Sequence, residues 1–285
     1  MDSKVIRLYE DFRKGSFDRR EFLEKLGRLV GGAAAAAALV PLLEGRSAEA
    51  QVVAADDPAL RTGSVTYRGA DGDMKAYSAR PSDAGKHPGV VVISENRGLN
   101  AHIEDVARRV AKEGYLALAP DALSSFGGTP QNPEEAIPLM QKLDRETTTK
   151  NFVAAVEYLK TDPQSTGKVA CMGFCWGGGV TNQVAVHAPD LAAAVPFYGM
   201  QPAAEDVPKI KAAMLIHYAG DDARIDAGIP AFEAALKKAG VNYRIYVYPG
   251  AQHSFFNNTG PRYNKEAAEL AWQRTLAFYK DQLKG

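Results

Sequence analysis

The chain has 285 residues, 46% hydrophobic and 24% charged, the composition of a soluble globular protein with a sizeable core. Its 34 basic and 34 acidic side chains cancel, so no net field draws it to nucleic acid or anionic lipid. The cysteines, Cys171 and Cys175, indicate no disulfide framework, and their spacing across one strand and turn is poor geometry for bonding each other.

The N-terminal segment differs in character from the rest. Arg19-Arg20 and Phe22-Leu23 precede Leu29-Val30-Gly31-Gly32, six alanines and Leu39-Val40-Pro41-Leu42-Leu43. A basic region followed by an apolar run of about fifteen residues has the make-up of a secretory signal and is short for a spanning helix. The paired arginines resemble a twin-arginine signal, the bacterial route for folded cargo. Ala48-Glu49-Ala50 fits an A-x-A cut and sets the expected mature N-terminus at Gln51. The expected partition is a signal segment over 1–50, addressed to the export machinery, a polar linker over 51–62 and one domain over 63–285. The expected location is the periplasm, or the membrane if the segment is retained as an anchor.

From Gly63 onward, short apolar runs alternate with helical patterns. Ser64–Tyr67 and Met74–Ala79 flank Ala70-Asp71-Gly72-Asp73 and predict an antiparallel hairpin. Gly89–Ser94 is continuously apolar up to its last residue, as a central strand buried on both faces should be. A helix over 103–113, a strand over 115–119 and helices near 133–143 and 147–159 follow. Strand 169–173 leads into helix 177–187, then come strands 192–197 and 213–218, helix 229–239, strand 243–248 and a closing helix over 265–283. Alternation of this kind predicts an α/β fold whose mostly parallel sheet carries helices on both faces. Right-handed crossovers then gather the strand-to-helix loops at one sheet edge, where such folds bind ligands.

One of those loops carries a chemical signature. Gly173-Phe174-Cys175-Trp176-Gly177 runs from a strand into a helix in the small-x-nucleophile-x-small pattern of a nucleophile elbow. The turn is so tight that only small residues fit beside the nucleophile, and the helix N-terminus is expected to favour a thiolate. Cys171, mid-strand, reads as core. An elbow calls for an acid and a histidine later in the chain. Among His87, His102, His187, His217 and His253, only His253 lies in a loop after the last strand. Asp221 and Asp222 both follow strand 213–218, and spacing barely separates them, with Asp222 the slight choice. Donors for an acyl oxyanion are expected from the Trp176 amide and from the loop Glu95-Asn96-Arg97.

Gly173-Phe174-Cys175-Trp176-Gly177-Gly178, Glu95-Asn96-Arg97-Gly98, Gly220-Asp221-Asp222 and His253-Ser254-Phe255 together resemble the dienelactone hydrolase family, from about Gly63 to the C-terminus. The resemblance implies the α/β-hydrolase fold and a Cys175–Asp222–His253 triad. It also implies a Glu95 that pairs with the nucleophile before substrate arrives, an oxyanion hole of the Asn96 and Trp176 amides, and no metal or organic cofactor. Where the family's namesake enzyme grips its substrate's carboxylate with arginines, this chain has Leu123-Ser124-Ser125-Phe126 and Phe255-Phe256-Asn257-Asn258. Arg97, Ser125, Tyr198 and Phe255 are the residues expected to meet substrate, in a partly apolar pocket beside Trp176. The expected activity is hydrolysis of a small carboxylic ester or lactone through a thioester at Cys175. The alternatives are a thiol redox protein using the same cysteine and a non-catalytic ligand-binding homologue.

Overall fold

The computed structural model describes residues 3–13, 18–36, 39–40, 51–130 and 132–283. The expected cut after Ala48-Glu49-Ala50 lies outside the described residues. Eight strands form one sheet: β1 (Leu60–Arg68), β2 (Asp73–Pro81), β3 (His87–Ile93), β4 (Leu116–Pro120), β5 (Ser165–Phe174), β6 (Ala193–Phe197), β7 (Ala213–Asp221) and β8 (Tyr243–Gln252). Their order is β1-β2-β4-β3-β5-β6-β7-β8. β2 pairs antiparallel with β1 and β4, and the remaining neighbours are parallel, as the alternation of elements predicted.

Helices among the described residues include α1 (Ser3–Arg13), α2 (Arg19–Val30), α3 (Ala101–Lys112), α4 (Pro133–Met140), α5 (Arg145–Lys160), α6 (Trp176–His187), α7 (Ala223–Asp226), α8 (Ile229–Ala239) and α9 (Lys265–Gln282). The continuous apolar run of β3 is explained by its two faces. Val91 and Ile93 enter the core under α5, α6 and α8, whereas Val90 and Val92 enter the core under α3 and α9. All four are fully buried, each worth roughly 1.5–3 kcal/mol as an upper bound.

The segment expected as a linker is held against the domain. The Val52 and Val53 amides donate to Asp105 Oδ1 at 3.0 and 2.9 Å, Arg108 Nε donates to the Val53 carbonyl, and Lys112 pairs with Asp57. Strand β1 also begins earlier than its alternating pattern, at Leu60, because Leu60 finds a pairing partner in Pro81. Upstream, Asp18 caps α2, and α1 and α2 share an apolar cluster of Val5, Phe22 and Leu26 that is separate from the two cores of the sheet. No described helix is long and apolar enough to cross a membrane.

Two registers place the functional edge. Ile93 pairs with Gly173 and Phe174 with Phe197, so Glu95, Cys175 and Tyr198 leave their strands side by side. At the other end, Ala219 pairs with Tyr248 but Asp221 pairs with Gln252. The bulge sets Pro249-Gly250-Ala251 opposite the single residue Gly220, with Gly250 in the left-handed region at φ 72°. Asp222 and His253 are thereby the next residues on adjacent strands.

Candidate active site

Cys175 occupies the turn between β5 and α6 with φ 55° and ψ −113°, a strained conformation for a side-chain-bearing residue. The surroundings enforce it. A Cβ on Gly173 would lie 2.3 Å from the Gly177 carbonyl oxygen, and one on Gly177 would lie 2.4 Å from that of Ser94. The Cys175 amide donates to the Phe197 carbonyl at 3.0 Å, tying the turn to β6. Tyr198 and Ser254 are the other side-chain-bearing residues with positive φ among those described, and both stand at this same edge.

His253 is half-buried, and its Nδ1 is hydrogen-bonded to Asp222 Oδ2 at 2.5 Å. Asp222 is buried, while Asp221 is exposed and continues β7. The His253 ring lies 5.0 Å from that of Tyr198. His217 is fully enclosed between Thr275 and Tyr248, and burial pulls its pKa down to about 3. It is a core histidine. His102 is likewise buried, bonded to Asn258, with burial lowering it to about 4.

The thiol differs from expectation. Burial pushes the Cys175 pKa from its ordinary 9.0 up to about 11, and the charge of Glu95 adds to the rise. The Trp176 amide and Arg224 pull the other way, but desolvation is the larger effect. The helix N-terminus favours the thiolate as its amide should, yet too weakly to ionise a buried sulfur at neutral pH. Alkylation of the free enzyme by iodoacetamide should therefore follow a pH profile with a midpoint near 11. Glu95→Gln, which removes a negative charge beside the sulfur, should move that midpoint to lower pH. A midpoint at or below 9 in the unaltered protein would contradict the protonated thiol.

Glu95 is itself held by neighbours. Asn257 Nδ2 donates to Glu95 Oε2 at 2.7 Å, and the fully buried Tyr198 hydroxyl donates to Oε1 at 3.4 Å. Asn96, Cys175, Trp176 and Tyr198 border one cavity of about 860 Å³. The other substrate candidates do not reach it. Arg97 turns to Glu134 on α4 at 2.9 Å, and Ser125 is exposed on a single helical turn. Phe255 is fully buried against Tyr198 and Tyr248, because its strand end is roofed by α9 and it fills core rather than pocket.

The sequence model of the dienelactone hydrolase family matches residues 74–283. A Saccharolobus solfataricus protein provisionally assigned as a carboxymethylenebutenolidase is 35% identical over 256 residues, covering 76% of this chain and 97% of the relative. An Escherichia coli K12 protein with the same provisional assignment is 32% identical, covering 80% and 90%. Among solved structures, a provisionally assigned dienelactone hydrolase from Klebsiella pneumoniae superposes with a TM-score of 0.71 at 30% identity, covering 78% and 99%. A dienelactone hydrolase-like promiscuous phosphotriesterase from metagenomic libraries gives 0.68 at 26% identity, covering 79% and 99%. The chain belongs to the dienelactone hydrolase family.

As a member of the dienelactone hydrolase family it is an ester or lactone hydrolase, with a small carboxylic ester or lactone as the class of substrate. Within that frame, sequence reading passed over Asn257 and Arg224. Asn257 lies four residues beyond His253, in the stretch singled out for lacking arginine, and its amide bonds Glu95. Arg224 lies two residues beyond Asp222 and borders the cavity. Proximity in sequence to the acid and the histidine was the signal available for both.

Proposed function

We propose that this enzyme hydrolyses its ester or lactone by nucleophilic attack of Cys175 within a Cys175–Asp222–His253 triad. The observation that carries the reading is the Asp222–His253 hydrogen bond, formed at the sheet edge where the strained Cys175 turn opens into the cavity. Asp222 accepts from His253 Nδ1 and so leaves Nε2 free to act as base.

His253 Nε2 takes the thiol proton as Sγ bonds to the acyl carbon and the carbonyl π pair moves onto oxygen. The Trp176 and Asn96 amides donate to that oxyanion, each worth about 10²–10³ in rate by the usual cost of losing one donor. Collapse breaks the acyl–oxygen bond, and the leaving alkoxide takes the proton from His253. In a lactone that alkoxide stays tethered to the acyl group. Water, deprotonated by His253, then attacks the thioester, and the sulfur leaves and recovers its proton. A thiol protonated at rest suits this sequence, since the proton needed by the leaving group is already on the enzyme. Glu95 disfavours an ionised sulfur in the empty site and so restrains adventitious thiol chemistry. The same high pKa disfavours the redox alternative, which needs an exposed low-pKa thiol. Loss of turnover in Cys175→Ala, with turnover kept in Cys171→Ala, tests the assignment.

We also propose that residues 1–50 export the enzyme to the periplasm by the twin-arginine route. Support comes from Val52 and Val53, whose amides already bond the domain just beyond the candidate cut. The intact mass of periplasmic protein should correspond to a chain beginning at Gln51. Recovery there of a chain still carrying Met1 would count against cleavage.

A further inference from the structure

The cavity is larger and more cationic than a small neutral ester requires. At about 860 Å³ it has the dimensions of a site for a drug-sized ligand. Its apolar wall includes Leu143, Trp176 and Met200, next to Cys175. Its charged wall is made by Arg145, at the start of α5, and Arg224, in α7 directly after Asp222. Lys150 and Glu146 also border the cavity, but they pair with each other at 2.6 Å and cancel.

Among the described residues, the two arginines have no carboxylate partner, a lack they share with Arg61, Arg244, Arg262 and Arg274, and they differ from those four in lining the cavity. Arg68, Arg80, Arg97, Arg108 and Arg109 each meet an aspartate or glutamate. Among the described residues, neither Arg145 nor Arg224 has a carboxylate within ion-pairing distance, although both face a cavity that ends on the nucleophile. A planar guanidinium with free donors is suited to a carboxylate, sulfonate or phosphate oxygen. We propose that Arg224, with Arg145, forms an anion subsite that selects amphipathic esters, their apolar body on Trp176 and Met200 and an anionic group on the guanidinium groups.

Arg224 lines the same cavity as Cys175, and its positive charge acts to lower the thiol pKa against the larger effect of burial. The anionic group must therefore lie a short chain from the scissile carbonyl, as in the half-ester of a dicarboxylic acid. This inference rests on Cys175 as nucleophile, and its test separates the two.

Three matched substrates serve: the mono-p-nitrophenyl ester of adipic acid, p-nitrophenyl hexanoate, and p-nitrophenyl 6-(trimethylammonio)hexanoate. The unaltered enzyme should prefer the anionic ester over the neutral one in kcat/KM, and both over the cationic one. Arg224→Glu should lower the anionic-to-neutral ratio by about tenfold or more, mainly through KM, and raise the relative rate of the cationic ester. Arg224→Lys should keep part of the preference. Added salt should shrink the ratio in the unaltered enzyme, since both arginines are exposed. The ratio is internal to each variant, so a fall in folded fraction does not move it. An unchanged ratio in Arg224→Glu, with Cys175→Ala inactive on all three esters, would overturn the subsite and leave the nucleophile standing. Full activity in Cys175→Ala would remove both.

Discussion

Cys175→Ala lowers kcat/KM for every ester or lactone substrate by about four orders of magnitude or more, leaving only what binding and oxyanion donors supply. The size of the effect follows from the chemistry. In the proposed mechanism the sulfur forms the covalent intermediate, and no serine in the chain sits between glycines in an elbow that could replace it. Cys171 is the internal control, four residues upstream on β5 and fully buried, where burial raises its pKa to about 12. Its sulfur contacts Thr181 Oγ1 at 3.7 Å and fills core volume. Cys171→Ala should cost on the order of 1–2 kcal/mol in stability through the small cavity left, with kcat/KM retained. Steady-state kinetics and thermal melts of the two variants separate the roles. Equal loss of activity in both variants would show that the cysteines act through packing.

Asp222→Asn lowers kcat by about 10³–10⁴ while KM changes little, the magnitude expected when a histidine base loses the carboxylate that sets its tautomer. An asparagine amide facing His253 Nδ1 can donate to it, which puts the imidazole proton on Nε2, where the thiol proton has to go. Asp221→Asn should alter kcat by less than about threefold, because Asp221 is exposed and its backbone pairs with Gln252 away from the imidazole. The comparison uses two neighbouring aspartates with the same covalent chemistry. A larger loss at Asp221 than at Asp222 would overturn the geometry drawn from β7 and β8.

Much of the fold was legible because its signals are local. The apolar run of β3, the Gly173–Gly177 turn and the alternation of strands with helices each express a constraint on neighbouring residues. Even so, β7 and β8 extend past their hydrophobic patterns, to Asp221 and Gln252, because strand pairing continues through polar residues once a bulge restores the register. The substrate candidates fared unevenly for a related reason. Tyr198 borders the cavity with Cys175, whereas Phe255, one strand end away, turns into the core and Arg97 turns to Glu134. Side-chain direction at a loop depends on what packs above it, and neighbouring residues do not encode that.

The sequence alone determined where the cysteine turn lies, which histidine follows the last strand and the order in which the chemical groups occur, since these depend on steric limits and chain order. It left Asp221 and Asp222 almost level on spacing. Tertiary structure decided which aspartate meets His253, through the β7–β8 bulge. It also decided that Asn257 and Tyr198 hold Glu95, and that the Cys175 thiol is protonated at rest rather than ionised by its helix. Those outcomes depend on pairing register and desolvation, which arise only when residues far apart in the chain are packed together.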